Sequence, residues 1–249
     1  APMAGVSTPA LAAEVSNQGG LGSLGLGASS ISAARAQILA TQALTDAPFQ
    51  VNFFCHRSEK LNPEITAQWL NYLAPQFEHF NEPVPEKLEC IYPSFLDHDD
   101  FLNLVLETRP KAVSFHFGIP HAHQIAALKA AGILTMVSAT NLPEAQAIEA
   151  AGIDMIIAQG IEAGGHRGIF NQTFDSAIKT SDLVQLIREH CTLPVVAAGG
   201  IMNGQQAQLM LKLGASAVQL GTAFVQCKSS NANPAYRQAL FQQNITQIT

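Results

Sequence analysis

Three segments of the chain share one pattern of hydrophobic and polar positions: an amphipathic helix, a glycine, and then a short, largely apolar strand. The glycines are Gly132, Gly152 and Gly214. The strands that follow them cover residues 134–137, 155–158 and 217–220. Glycine adopts the left-handed conformation that ends many helices without the steric cost of a Cβ atom, so each glycine marks a helix end. Because the apolar runs do not alternate, both faces of each strand should be covered, which favours a parallel sheet.

Four further apolar runs extend this pattern, and together they predict the fold class. They cover residues 21–26, 50–54, 112–117 and Val195–Ala198. The Ala1-Pro2-Met3 segment is similar to the end of an eighth strand, because Ser7-Thr8-Pro9 directly after it is a typical helix start. Eight strands that alternate with helices favour an α/β fold of the closed, parallel (β/α)8 TIM barrel type over an open doubly wound sheet. We therefore expect residues 1–249 to form one barrel domain that is truncated at both ends.

The longest connection in this scheme covers residues 55–111. Its hydrophobic pattern predicts two helices, over residues 63–80 and 97–108. No motif within it indicates a function of its own.

Composition narrows the function classes. Only 13% of the residues are charged, the net charge is −6, and no cluster of Lys and Arg is present, which argues against a nucleic-acid partner. No apolar run approaches the roughly 18 to 20 residues that a membrane-spanning helix needs. The cysteines Cys55, Cys90, Cys191 and Cys227 are far apart in the chain, which argues against a disulfide framework or a metal knuckle. We expect a cytoplasmic protein, and its N-terminal residues do not resemble a signal peptide.

One glycine motif is misleading. Gly20-Leu21-Gly22-Ser23-Leu24-Gly25 matches the dinucleotide fingerprint, and Asp46 follows at a suitable distance. These glycines, however, lie within a strand that follows a helix, whereas the fingerprint needs a strand that leads into a helix. A barrel strand of small residues is the better interpretation.

Two other glycine stretches are placed to bind phosphate. Gly199 and Gly200 end the strand Val195–Ala198, and Gln219, Leu220, Gly221 and Thr222 end the last strand. In TIM barrels, the loops after the last two strands commonly form a phosphate site, where backbone N–H groups and a helix N-terminus meet the anion. The interpretation that these stretches are only tight turns is the alternative.

The strand over residues 155–158 leads into a glycine-lined loop, Gln159-Gly160-Ile161-Glu162-Ala163-Gly164-Gly165-His166-Arg167-Gly168. His166 is a candidate catalytic residue, because an imidazole that titrates near neutrality can accept a proton or stabilise an anion. The alternative is a structural histidine bonded to backbone. For Arg167, an anion contact and a salt bridge to a neighbouring loop are equally compatible with the sequence.

The strand over residues 112–117 ends in Ser114-Phe115-His116-Phe117-Gly118. Strand alternation predicts that Phe115 and Phe117 share one face and that Ser114 and His116 share the other. His116 would then lie near the same mouth as His166, as an active-site or a core histidine. A metal site that combines His116 with His121 and His123 is disfavoured, because a two-residue spacing should not place the last two on one helix face.

Five blocks of the chain share the pattern of one known family: Ala1-Pro2-Met3-Ala4-Gly5-Val6-Ser7, Val51-Asn52-Phe53-Phe54-Cys55-His56, Ser114-Phe115-His116-Phe117-Gly118, Glu162-Ala163-Gly164-Gly165-His166-Arg167-Gly168 and Ala198-Gly199-Gly200-Ile201. Together these blocks resemble the class I nitronate monooxygenases, formerly called 2-nitropropane dioxygenases. The resemblance covers essentially the whole chain, although members of the family continue past the position of Thr249.

The resemblance implies an FMN cofactor and roles for individual residues. Pro2, Met3 and Asn52 would contact the isoalloxazine ring, and Gln159 and Gly164 would reach the flavin or its ribityl chain. Gly199, Gly200, Gln219, Leu220, Gly221 and Thr222 would hold the phosphate end. His166 would be the catalytic histidine, with His116 beside the substrate, and no metal is implied.

The implied reaction is the oxidative denitrification of anionic alkyl nitronates, such as propionate 3-nitronate, by dioxygen. It gives a carbonyl compound and nitrite or nitrate. The alternatives are an FMN-dependent NAD(P)H:quinone or enoyl-acyl-carrier-protein reductase of the same barrel type, and a non-catalytic sensor of a phosphorylated ligand. An enzyme similar to inosine-monophosphate dehydrogenase would need a nucleophilic cysteine in the loop that carries His166, and that loop has none. The sequence leaves a homo-oligomer open.

Overall fold

A computed structural model describes residues 1–58, 61–88 and 91–242 of the chain. The strands are β1 (Gly22–Gly25), β2 (Phe49–Phe54), β3 (Ala112–His116), β4 (Leu134–Ala139), β5 (Met155–Gln159), β6 (Val195–Ala198) and β7 (Ala217–Gln219). The helices are α1 (Pro9–Asn17), α2 (Ile31–Gln42), α3 (Pro63–His79), α4 (Asp100–Thr108), α5 (Ala122–Ala130), α6 (Leu142–Ala150), α7 (Thr180–His190), α8 (Gly204–Lys212), α9 (Thr222–Val225) and α10 (Pro234–Ala239). The seven apolar runs of the sequence thus all form strands, with ends that move by one or two residues.

The strands form one parallel sheet in chain order, from β1 to β7. A helix connects each strand to the next, as in the βα repeat of a barrel. The helix stops are confirmed as well, because Gly132, Gly152 and Gly214 have φ values of 70°, 79° and 102°. A side chain at any of these three positions would strain the backbone.

The sheet is curled, and its two edge strands approach the same segment, residues 1–4. The N-terminal ammonium of Ala1 donates to the carbonyl oxygen of Leu220 at 2.6 Å, just after β7. On the other side, a Cβ atom added to Gly25 of β1 would lie only 2.8 Å from the backbone nitrogen of Ala4. Inside the curl, Gln50 Nε2 of β2 lies 3.4 Å from Gln219 Oε1 of β7. The inner face of the sheet is therefore enclosed.

The predicted strand over Ala1-Pro2-Met3 is wrong, so the described residues contain seven strands and not eight. Pro2 has no N–H group to donate to a ladder. The backbone of Met3 is used by a turn: its N–H donates to Ser7 Oγ, and its carbonyl oxygen accepts from the N–H groups of Val6 and Ser7. These residues fill the place between β7 and β1 without forming a strand.

Successive residues along the strands point to opposite faces of the sheet and belong to two different hydrophobic clusters. The outward residues pack against the helices and form the larger cluster, which includes Val51, Phe53, Phe115, Val137 and Ile156. The inward residues of β3 to β6 form a smaller cluster of Ala112, Met136, Ile157, Val196 and Ala198. Both faces of the sheet are thus covered, as the uninterrupted apolar runs predict.

The glycine motif at residues 20–25 lies in β1 and the turn before it, which confirms the strand interpretation. A Cβ atom at Gly22 would lie 1.9 Å from the carbonyl oxygen of Ala12 in α1. Glycine is therefore needed here so that helix α1 can pack directly on the strand.

The long connection contains α3 and α4 close to the predicted bounds, although α4 begins three residues later than expected. Helix α4 packs its apolar face into the core, whereas no residue of α3 is buried. Trp69 and Tyr72 of α3 stack on each other with ring centroids 5.3 Å apart, and both are exposed.

Cys55 and Cys191 are buried, Cys227 is half-buried, and all three are free thiols, whereas Cys90 lies outside the described residues. Across residues 1–58, 61–88 and 91–242, no helix has the length and apolar character that a bilayer crossing requires.

Candidate active site

The inner face of the sheet turns polar towards the carboxyl ends of the strands. The residues there are Asn52, Ser114, His116, Ser138, Gln159 and Gln219. Asn52 Nδ2 donates to the carbonyl oxygen of Ser114 at 3.1 Å and to its hydroxyl oxygen at 2.9 Å. Asn52 Oδ1 has no hydrogen-bond partner among the described residues, so this buried amide has an acceptor to offer at the mouth of the sheet.

One level deeper, Gln50 Nε2 donates to Ser23 Oγ at 2.8 Å. Its Oε1 is buried without a partner in the described part of the chain. The interior of the sheet therefore holds a hydrogen-bond acceptor without a donor, close to Gln219.

The loop after β5 is held by the side chain of Gln159. Gln159 Oε1 accepts from the N–H of Gly168 at 2.7 Å, and its Nε2 donates to the carbonyl oxygen of His166 at 3.0 Å. One amide thus bridges two backbone positions, so the path of the loop around His166 is fixed from the end of β5.

Arg167 also clamps this loop. Its guanidinium pairs with the carboxylate of Asp175, with Nε 2.8 Å from Oδ2, and its Nη1 donates to the carbonyl oxygen of Gly160 at 2.6 Å. The hydrogen bond from Arg167 lowers the pKa of the Asp175 carboxyl below its usual value. The structure therefore shows a salt bridge, one of the two predicted roles, but its partner lies in the same loop and not in a neighbouring one.

His116 lies directly under the loop. Its Nδ1 is 3.0 Å from the hydroxyl oxygen of Ser138 on β4, and its Nε2 is 3.1 Å from the carbonyl oxygen of His166. Burial lowers the pKa of His116 to about 4; the hydrogen bond to the backbone of His166 opposes this shift, and the charges of His166 and Arg167 add to it by smaller amounts. The ring is therefore neutral at neutral pH, and both of its nitrogens face protein groups.

His166 presents its ring to the opening. The residue is exposed, and its ring lies among those of Phe54, Tyr92 and Phe117, with centroids 6.2, 6.4 and 5.7 Å away. The ring nitrogens of His166 have no hydrogen-bond partner among the described residues. The structure thus holds the backbone of this residue firmly and leaves its imidazole available to a ligand.

Phe117 departs from the alternation that the sequence predicts. Phe115 faces the helices, but Phe117 follows the end of β3 with φ of 71° and turns its ring towards Phe54, His116 and His166. A left-handed backbone at a bulky residue is strained, and such strain is concentrated at functional sites. The prediction that Phe115 and Phe117 share a face is wrong because the strand stops at His116.

The turn after β6 has the backbone conformation that glycine allows. Gly199 and Gly200 have φ of 121° and 68°. A Cβ atom at Gly199 would lie 2.9 Å from the backbone nitrogen of Ala163, and one at Gly200 would lie 2.9 Å from the Cβ of Glu162. The two glycines therefore also let the loop that carries His166 pack closely on this turn.

The end of β7 lies beside the N-terminal segment. A Cβ atom at Gly221 would have only Ala1 Cβ, at 3.4 Å, and Met3 Sδ, at 3.7 Å, within contact range. Thr222 begins α9, and its hydroxyl has no hydrogen-bond partner among the described residues. The structure thus brings Met3, Gly221 and Thr222 together, with the half-buried Pro2 adjacent, while Gly164 lies exposed in the loop after β5.

His121 and His123 lie side by side, contrary to expectation, with rings stacked at a centroid distance of 5.8 Å. Their partners are the carbonyl oxygen of Leu96 and the carboxylate of Asp99. His121 is the N-cap of α5, outside the helical repeat, which is why helical spacing does not separate the two rings. His116 points elsewhere, towards Ser138.

The sheet is parallel and curled, and the carboxyl ends of its strands carry the clamped loop with the histidine and the glycine turns. These features define a protein of the TIM-barrel-like class, with its site at the end of the fold where such sites usually lie. The family model for nitronate monooxygenase matches residues 1–249. The chain belongs to the nitronate monooxygenase family.

Relatives agree with this assignment. The proteins called nitronate monooxygenase from Paraburkholderia phytofirmans and Pseudomonas aeruginosa are 55% and 54% identical to this chain over 96% of its length. The chain spans 66% and 69% of those relatives, so it corresponds to about two thirds of them.

Solved structures show the same fold. The nitroalkane oxidase from Streptomyces ansochromogenes aligns with a TM-score of 0.87 and 39% identity, over 98% of this chain and 70% of that one. FabK from Thermotoga maritima aligns with a TM-score of 0.71 and 31% identity, over 96% of this chain and 61% of that one.

Proposed function

We propose that this protein is an FMN-dependent nitronate monooxygenase that oxidises small anionic alkyl nitronates with dioxygen and releases a carbonyl compound and nitrite or nitrate. The observation that carries the proposal is the arrangement of His166: a fixed backbone, an available imidazole and an aromatic surround at the carboxyl ends of the strands. Membership in the family supplies the reaction class.

The residues present fit a flavin mononucleotide. Asn52 Oδ1 is an acceptor without a partner in the described chain, and an isoalloxazine ring carries an N–H donor of the kind that would satisfy it. The Thr222 hydroxyl and the open side of Gly221 suit a phosphate, together with Gly199, Gly200, Gln219 and Leu220. Residues 1–3 lie between β7 and β1, where Met3 approaches both Gly221 and Gly25, so Pro2 and Met3 are candidates to contact the ring, with Gln159 and Gly164 as candidates on the side of β5. We further propose that the seven-stranded sheet corresponds to the eight-stranded barrel, with residues 1–3 in the place of the remaining strand.

When bound, FMN supplies the oxidised ring that accepts electrons from the nitronate. The chain's own residues bind and orient the substrate. A protonated or N–H-donating His166 holds the nitronate oxygens, and the rings of Phe54, Tyr92 and Phe117 limit water around them. Where a neutral nitroalkane arrives instead, the His166 imidazole is placed to accept the α-proton. His116 is a poor candidate for that step, because its nitrogens are engaged and its pKa is about 4.

Oxygen consumption tests the reaction. We expect the FMN-loaded protein to consume dioxygen with propionate 3-nitronate and to release nitrite or nitrate, while NADH and NADPH leave the flavin oxidised. Rapid flavin reduction by NADH, together with no oxygen uptake on nitronates, would refute the proposal in favour of the reductase. Absence of any turnover in a flavin-loaded protein would favour the sensor.

Release of the chromophore tests the cofactor. Heat-denatured protein should yield a compound with the mass of FMN, because the glycine turns suit one phosphate and no dinucleotide fingerprint is present in a suitable context. The mass of FAD, or no flavin after reconstitution, would contradict this. A cytoplasmic location and a homo-oligomeric state are further proposals.

A further inference from the structure

The hydrogen bonds of His116 determine which of its nitrogens carries the proton. A carbonyl oxygen only accepts hydrogen bonds, so the contact of Nε2 with the carbonyl of His166 at 3.1 Å requires an N–H at Nε2. In the neutral ring, Nδ1 is then an acceptor, and the hydroxyl of Ser138 at 3.0 Å donates to it. The neutral state itself follows from the burial that lowers the pKa of His116.

The same carbonyl is held from a second strand. Gln159 Nε2 of β5 donates to it at 3.0 Å, and the two lone pairs of the oxygen accommodate both donors. His116 of β3 and Gln159 of β5 therefore hold the backbone of His166 between them. The imidazole of His166 makes no such bond and depends on its backbone for its direction.

The loop packs directly on the pair of His116 and Ser138. A Cβ atom at Gly168 would lie 2.7 Å from His116 Cε1 and 3.1 Å from Ser138 Cβ. Ser138 is buried, with 5% of its surface exposed, so bulk water is a poor substitute for its hydroxyl. Without that hydroxyl, Nδ1 has no donor, and the ring is held by its Nε2–H bond alone.

We propose that Ser138 is a positioning residue: the His166 carbonyl requires the Nε2–H tautomer of His116, and the Ser138 hydroxyl, by donating to Nδ1, orients this ring so that its N–H holds the His166 backbone and directs the His166 ring towards the substrate. His116 is then a structural donor and not a proton acceptor for the substrate. The consequence for catalysis rests on the proposed function of His166, whereas the tautomer does not.

Nitrogen NMR of the imidazole rings tests the tautomer in the FMN-loaded protein, because the 15N shifts distinguish protonated from unprotonated ring nitrogens. With His116 assigned from a His116→Gln variant, wild-type protein at neutral pH should show a protonated Nε2 and an unprotonated Nδ1. Ser138→Ala should keep the proton on Nε2 but move the 15N shift of Nδ1, because the hydrogen bond to that nitrogen is lost. A wild-type ring protonated at Nδ1 overturns the proposal even if the variant fails to fold, and so does a folded variant with an unchanged spectrum.

Kinetics test the consequence. Ser138→Ala should lower kcat on propionate 3-nitronate by about tenfold with little change in KM, which corresponds to the loss of roughly one hydrogen bond. The matched control is Ser16→Ala, which removes another buried serine, bonded to the carbonyl oxygen of Pro48 and the N–H of Gly22 in the wall of the fold. That control should lower stability and leave kcat and the 15N shift of His116 Nδ1 unchanged.

The NMR and kinetic experiments together distinguish a failure of the proposed function from a failure of the positioning role. If nitronates are not oxidised, the proposed function fails, and the NMR spectra still decide the role of Ser138. If nitronates are oxidised but Ser138→Ala keeps the wild-type kcat, the positioning role is refuted and the proposed function stands.

Discussion

Acidification should destabilise the protein through protonation of His116. Burial lowers the pKa of this residue from 6.5 to about 4 in the folded protein, while the unfolded chain keeps the ordinary value. Between these two pKa values the unfolded state binds more protons than the folded state. The free energy of unfolding therefore falls as the pH falls from 6.5 to 4, and below pH 4 the contribution of His116 no longer changes. At 1.36 kcal/mol for each pKa unit, the loss reaches about 3 kcal/mol.

Urea denaturation of wild type and His116→Gln between pH 4 and 8 measures this loss. Glutamine does not titrate, and its amide can still donate towards the His166 carbonyl. Ala1, whose burial lowers the pKa of its amine to about 5, and Asp175, whose pKa is also lowered, are common to both proteins and cancel in the difference. The charged or titratable groups that act on His116 are His166 and Arg167, and both remain in the variant. On acidification from pH 8 to 4, wild type should lose up to about 3 kcal/mol more free energy of unfolding than the variant. Parallel curves would refute the assignment of a neutral His116.

His166→Asn should keep FMN binding and melting temperature while slowing nitronate oxidation on the order of 10²-fold, in a steady-state oxygen assay; intact activity would contradict its role. Arg167→Lys should lower the free energy of unfolding, measured by urea denaturation, by about 1 to 3 kcal/mol, because the forked contact with Asp175 and the backbone is lost. The control Arg35→Lys, in an exposed pair with Glu107, should lower it by less than about 1 kcal/mol. Equal losses in the two variants would contradict the role of Arg167 in clamping the loop. Gly22→Ala should severely reduce soluble folded protein because its Cβ meets the backbone of α1 at 1.9 Å, whereas Gly204→Ala, with no atom within 4 Å, should be neutral or stabilising; a well-folded Gly22→Ala would show that α1 can move away.

Local signals in the sequence were sufficient for most of the architecture. The apolar runs and the glycine stops depend on short-range chemistry, namely burial of both strand faces and the left-handed conformation at Gly132, Gly152 and Gly214. The failure at residues 1–3 has a local cause as well. Pro2 and the turn around Met3 remove the hydrogen bonds of a strand, and the apolar character of the segment hides this.

The candidate site was only partly predictable. His166 and the glycine turns are visible because they form compact motifs, but the choice for Arg167 depended on Asp175, eight residues away in an irregular loop. Tyr92 was missed because its approach to His166 is a tertiary contact. Ser138 was missed too, although strand alternation places it on the inner face with Met136, and a polar residue there was a usable signal.

The two histidines of the site illustrate why residue type alone does not assign a role. His116 and His166 lie at the same mouth and touch through one hydrogen bond, yet the structure gives them opposite environments. His116 has both nitrogens engaged, and burial keeps it neutral, so it resembles a backbone donor more than an acid or base. His166 is exposed and has its backbone, not its ring, restrained by the protein. The reactivity that we propose for His166 therefore requires rigidity at His116, because a ring without its own hydrogen bonds is oriented only through the chain that carries it.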